Sequence, residues 1–148
     1  MNKVPTPFGY VIFCDDVRNE TTGKEIFVGV YKEKIVVSEL PATLPRLFAV
    51  VHYIETAGEN DEPVFIEITT PDSDPDKPII VQELPAGILR ERVAKGAIPK
   101  DARLTIRGHF EFPFLALTKE GDLVVTAKTA GKELELGRLG VKLAPTTD

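Results

Sequence analysis

Residues 103–112 read Arg-Leu-Thr-Ile-Arg-Gly-His-Phe-Glu-Phe, and this stretch decides the fold class. Leu104, Ile106, Phe110 and Phe112 fall on one side of an extended chain, and Arg103, Thr105, Arg107, His109 and Glu111 on the other. Alternation with period two predicts a strand with one face buried and the other in water. Upstream, residues 46–56 (RLFAVVHYIET) are apolar on both faces, with Phe48, Val50 and Ile54 opposing Leu47, Ala49, Val51 and Tyr53. A strand of that kind is covered on both sides.

The rest of the chain follows the same rhythm. Twelve prolines and eleven glycines separate short runs rich in Val, Ile, Phe and Thr. Strands are predicted at 8–14, 25–31, 34–37, 63–69 and 78–83, the first two joined by the turn cluster 19–24. After residue 112 the segments FPFLAL, LVVTAKT and KELEL read as a meander with turns at Gly121 and Gly131. Only residues 86–95 suit a helix, where Leu89 and Val93 sit one turn apart and Gly96 and Pro99 stop it. Pro41 to Pro45 predict a helical turn or a loop. The expectation is an all-β chain: an antiparallel β-sandwich of about eight to nine strands with one short helix near residues 86–95, as a single domain over 1–148, with a closed barrel as the alternative.

Composition narrows the function classes. The 148 residues carry 18 basic and 23 acidic side chains, a net charge of −5. That is the wrong sign for a surface that must displace counterions from nucleic acid, so no nucleic-acid partner is expected. No run reaches the length of a membrane span, and the N-terminus lacks the long apolar region of a secretory signal. With Cys14 alone, neither an intramolecular disulfide nor a Cys-rich zinc site can form. A cytoplasmic location is expected.

At the N-terminal hairpin stand Phe13-Cys14-Asp15-Asp16-Val17-Arg18-Asn19-Glu20, then Gly23-Lys24, then Val28-Gly29-Val30-Tyr31, with Leu40-Pro41-Ala42 and Leu44-Pro45 following. This pattern resembles an uncharacterised family of small bacterial and phage proteins with the motif FCDDxRxE, GK and GVY. The resemblance covers about the first third of the chain and implies no activity, ligand or catalytic residue.

Four groups of residues are candidates for chemistry. Asp15, Asp16, Arg18 and Glu20 form a dense polar cluster at a strand end, suited to a partner surface or to a hard cation. A structural role for them is the commoner outcome, with Cys14 as a small core residue whose thiol the two carboxylates disfavour as a nucleophile. Asp72, Asp74 and Asp76, with Glu83 beyond, have the carboxylate spacing of a calcium loop. Lys77 occupies the position that needs Gly, and the flanks read as strands, so a looser calcium-binding sandwich loop or a plain acidic connection remains. His52 and His109 lie in separate strands without a metal-binding spacing. His52 is expected to be partly buried with a backbone partner, and His109 to lie at the surface.

Charge placement says more than any motif. From His52 to Asp76 there are eight acids and no base, whereas from Ile88 to Arg107 the bases Arg90, Arg92, Lys95, Lys100, Arg103 and Arg107 face only Glu91 and Asp101. Either the molecule is bipolar and favours a charged partner or self-association, or the two segments lie together and neutralise one another. The leading expectation is a non-enzymatic module that binds a protein partner through Asp15, Asp16, Arg18 and Glu20 and through Arg90, Arg92 and Lys95, without cofactor. The alternative is a calcium-dependent ligand or membrane-surface binder using Asp72, Asp74 and Asp76. A small hydrolase built on Asp15, Asp16 and Glu20 stands third, for want of a base and nucleophile pair.

Overall fold

The computed structural model describes residues 4–146. In chain order the elements are β1 (Phe8–Asn19), β2 (Glu25–Val30), β3 (Lys34–Val37), β4 (Ala42–Thr56), β5 (Phe65–Thr69), β6 (Ile80–Glu83), α1 (Gly87–Ala94), β7 (Arg103–Leu117), β8 (Gly121–Thr129) and β9 (Lys132–Leu143). They form two sheets, one of four strands in the order β2-β1-β4-β7 and one of five in the order β3-β9-β8-β5-β6. This is an all-β sandwich with one short helix. All pairs are antiparallel except β3 with β9, which run parallel. Among the described residues no helix is long and apolar enough to cross a membrane.

The core lies between the sheets. The stretch that decided the fold points Leu104, Ile106, Phe110 and Phe112 inward, where Leu47, Ala49, Val51 and Tyr53 of β4 join them from the same sheet. Ile66, Ile68, Leu123, Val125 and Val141 close the layer from the other sheet, each fully or almost fully buried. Each such aliphatic side chain removed from water stabilises the fold by about 1.5–3 kcal/mol.

The opposite face of β4 is also buried, at Phe48, Val50, His52 and Ile54, although no second sheet packs there. The β1–β2 hairpin covers part of it. Pairing of β1 with β4 ends at Cys14–Phe48, and beyond it β1 pairs only with β2. Arg107 is level with His52 and Tyr10, while Glu25 pairs with Asn19, nine residues farther along β1. On a flat sheet that offset is about 30 Å. Glu25 nevertheless meets Arg107 at 2.5 Å and His109 at 3.2 Å. The hairpin therefore folds back over the outer face of its own sheet.

Two expectations need correction. The segment around Pro41 to Pro45 is strand, because β7 continues past Phe112 and offers Leu117, Ala116 and Leu115 as partners to Ala42, Thr43 and Leu44. Pro45 has no N–H for the ladder, and there the opposite residue, Phe114, swings to φ 51° and into solvent. The supposed meander is also broken. FPFLAL is the end of β7 and stays in the four-stranded sheet, while β8 and β9 form a hairpin in the other, turning at Gly131 with φ 75°.

Candidate functional site

At the end of β4 the sheets part and leave a cleft of about 270 Å³ lined by Tyr53, Glu55, Glu59, Asn60, Glu62 and Lys132, with Thr6 and Pro7 at its edge. Tyr53 and Glu55 alternate on the inward face of β4, so the strand that builds the core also floors the cleft. Glu55 is 3% exposed and faces Leu104 across the ladder. A carboxylate so deeply buried needs a partner. Arg90 of α1 supplies one with a fork: its Nε and Nη2 each donate to a carboxylate oxygen at 3.1 Å, and its Nη1 donates to the Glu62 carbonyl at 2.8 Å. The helix, seated on Ala57 and Leu104 through Val93, holds that guanidinium in place.

Tyr53 is 1% exposed, and its hydroxyl makes no hydrogen bond in the structure. Burial raises the pKa of this phenol, and the Glu55 carboxylate adds to the effect, while Arg90 and the Asn60 amide work in the opposite direction. It is a neutral hydroxyl enclosed beneath the cleft, with the Asn60 side chain beside it. At the mouth, Glu59 accepts a hydrogen bond from Thr6 at 3.1 Å, and Glu59, Glu62 and Lys132 are exposed.

A second polar group lies on the outer face. Arg107 Nε donates to His52 Nε2 at 3.1 Å, Tyr10 stacks on the His52 ring at 4.5 Å, and the Arg107 guanidinium reaches Glu25. His52 thus has a side-chain partner in addition to the Val50 backbone beside it. Burial, then the Arg107 charge, lowers its pKa and keeps the ring neutral. Because Nε2 accepts, the ring proton is assigned to Nδ1.

The residues singled out from the sequence are scattered. Asp15 accepts a hydrogen bond from Tyr31 at 2.7 Å, and burial, then this bond, pushes that phenol up to about 12. Asp16 holds Arg18 at 3.2 Å and Arg46 at 3.0 Å, and Arg46 continues to Glu111. Arg18 therefore pairs with Asp16 and not with Glu20, which accepts from Thr22. Cys14 is fully buried, and burial, then the neighbouring carboxylates, raises its thiol pKa against a single opposing backbone hydrogen bond. Arg92 on α1 and Lys95 just past its end are exposed, with Lys95 bonded to Glu91 at 2.6 Å. Arg46, beside the hairpin carboxylates, and Glu55, beside Arg90, are nine residues apart on β4, about 30 Å along the strand. The hairpin carboxylates and the helix cations thus do not share a surface.

Asp72 accepts hydrogen bonds from the backbone and hydroxyl of Thr118, and Asp74 closes a small turn on the Asp76 amide at 3.0 Å. Among the described residues no three His, Cys, Asp or Glu side chains converge as a metal cluster.

The cleft residues Tyr53 and Glu55 were not singled out beforehand. One signal did exist: Glu55 is a lone carboxylate ending a run of apolar residues. The Arg90–Glu55 pair also answers the question of charge. At this point the acidic and basic segments lie together and neutralise one another.

No curated protein and no solved structure matches the chain. A family model does, over residues 9–142, and the chain belongs to that family of unknown function, DUF6941.

Proposed function

We propose that the protein is a non-enzymatic interaction module that binds an extended segment of a protein partner along the free edge of β2. The observation that carries this reading is the contrast between the two edges of the four-stranded sheet. β7 is long but bears Arg103, Arg107, Glu111 and Pro113, the charges and proline that discourage strand addition. β2 bears Ile26, Val28 and Val30 on its outward face, exposed by 43%, 38% and 53%, and its one charge, Glu25, is turned onto Arg107. An unprotected edge with apolar side chains on alternate positions is what strand addition uses: main-chain hydrogen bonds give affinity and the side chains give selection.

Asp15, Asp16, Arg18 and Glu20 flank this edge as a polar rim and would set partner choice more than affinity. The hairpin motif supports a bacterial or phage origin, and the free cysteine with the acidic composition supports a cytoplasmic setting.

The test is capture and identification of a partner with the wild-type chain, followed by titration of that purified partner against Val28→Asp and against Arg103→Asp. Loss of binding with Val28→Asp, unchanged binding with Arg103→Asp and new amide-exchange protection in β2 are expected. Equal binding by all three chains, or protection in β7 instead, would refute the proposal.

A further inference from the structure

The β2 edge carries charge as well as apolar surface, and the charge selects the segment that can lie along it. On the reading that β2 takes an added strand, we infer that this strand is an extended segment with apolar side chains at alternate positions and an acidic residue at each end, met by Lys24 and Lys32.

The stripe reads Lys24, Ile26, Val28, Val30 and Lys32, every second residue from directly before β2 to just past its end, and all of them are exposed. Extended chain from Lys24 to Lys32 spans about 26 Å at most, so one partner strand reaches both lysines. The acids around the hairpin are already engaged. Asp15 holds Tyr31, Asp16 holds Arg18 and Arg46, Glu20 accepts from Thr22, and Glu25 is turned onto Arg107. Lys24 and Lys32 form no ion pair among the described residues. Glu33 follows Lys32, but Lys34 comes directly after it, and that end of the stripe stays positive. An apolar centre with an unengaged cation at each end is complementary to an apolar segment with an acid at each end.

Distance decides which charges the partner meets. A strand added to β2 lies about 4.8 Å from it and about 10 Å from β1. Exposed charges are screened over about 8 Å at physiological ionic strength, so Asp16, Arg18 and Glu20 of the β1 row act on it weakly, while Lys24 and Lys32 act at contact. A lysine directly opposite a carboxylate stabilises a strand pair, and one opposite another cation destabilises it. The same rule excludes a second copy of the chain as the occupant. Laid antiparallel about Val28, so that Ile26 meets Val30, two copies set Lys24 against Lys32 at both ends. Laid parallel and in register, they set each lysine against its own counterpart. Because both ends of the stripe are basic, charge does not choose the direction of the added strand, and either direction satisfies it.

Amide shifts of the isotope-labelled full chain test this during titration with two peptides blocked at both termini: Asp-Thr-Val-Thr-Val-Thr-Val-Thr-Asp, and the same sequence with Lys in place of each Asp. The Asp-ended peptide is expected to bind along β2 about tenfold more tightly than the Lys-ended one, the size that two exposed pairs turned from attraction to repulsion produce. Added salt should narrow the gap. Lys24→Glu combined with Lys32→Glu, both at exposed positions, should invert the order of the two peptides. Equal binding of the two, with shifts still centred on β2, overturns the acidic ends and leaves strand addition in place. Binding that survives Val28→Asp overturns both, because the edge itself is then not the site. No saturable binding of the Asp-ended peptide, an order unchanged in the double lysine variant, or pairing of β2 with a second copy in the free chain would also overturn the proposal.

Discussion

His52 and Tyr53 are neighbours on β4 and face opposite ways, and each reaches a buried polar group of a different kind. On the outer side the chain His52, Arg107, Glu25 and His109 fastens a hairpin to its sheet. The one Glu25 oxygen without a hydrogen bond there faces His109 at 3.2 Å. On the inner side the Tyr53 hydroxyl is enclosed beside the Asn60 side chain, and its neighbour Glu55 is held by Arg90. Polar groups that meet one another across strands act as a clamp. The Arg90–Glu55 pair does the same for a helix, so one strand pins a hairpin on one face and α1 on the other.

The sharpest way to break this comparison is to remove Arg90. Arg90→Ala leaves the Glu55 carboxylate, whose side chain is 4% exposed, buried without its partner. Such a loss costs about 3–5 kcal/mol, less whatever Glu55 regains by taking up a proton. A urea unfolding midpoint shifted by less than the equivalent of about 1 kcal/mol would show that the pair does not hold the cleft floor.

Loosening the clamp on the other face is expected to do less. Glu25→Ala removes the charge-assisted contact to Arg107 and the contact to His109, but both side chains are about two-fifths exposed and water can replace part of what is lost. The expected destabilisation is about 1–2 kcal/mol. Faster amide exchange should be confined to β2 and the distal half of β1, with the inner-face core unchanged. Uniform acceleration across β4 and β7 would mean that the hairpin is not a separable layer.

The sandwich was legible in the sequence because its signal is local. Alternation at 103–112 and the doubly apolar run at 46–56 state which faces are buried before any partner strand is known. The extent of β4 and β7 was not legible, since each extends only because the other does. Pro41 and Pro45 argue for a turn until β7 is seen to run past Phe112 and to give way at Phe114. The fold-back of the hairpin was hidden for a similar reason: nothing in Glu25 itself announces a contact with residues more than eighty positions away. The candidate cleft was half legible. Segregated charge pointed to Arg90, but only proximity pairs it with Glu55 and separates it from the hairpin carboxylates.

The smallest effect expected is the pH dependence that distinguishes the two faces. His52 has a pKa lowered from its ordinary 6.5 by burial and by Arg107, so the folded chain holds fewer protons on it than the unfolded chain does in the window below 6.5. Unfolding then takes up a proton as pH falls, and stability declines from about pH 6.5 down to the folded-state pKa, where this contribution levels off. Above that window His52 is neutral in both states and contributes no slope. Tyr53 does not titrate anywhere near this range, since its pKa is raised from 10, so the inner face is silent there. His52→Gln keeps an acceptor for Arg107 and removes the titration, so unfolding free energies measured from pH 7 to 5 should fall less steeply in the variant than in the wild type. Parallel curves would mean that the ring titrates alike in the folded and unfolded chains, so that neither burial nor Arg107 disfavours its protonation, while a steeper fall in the variant would mean that the folded chain holds the ring as a cation.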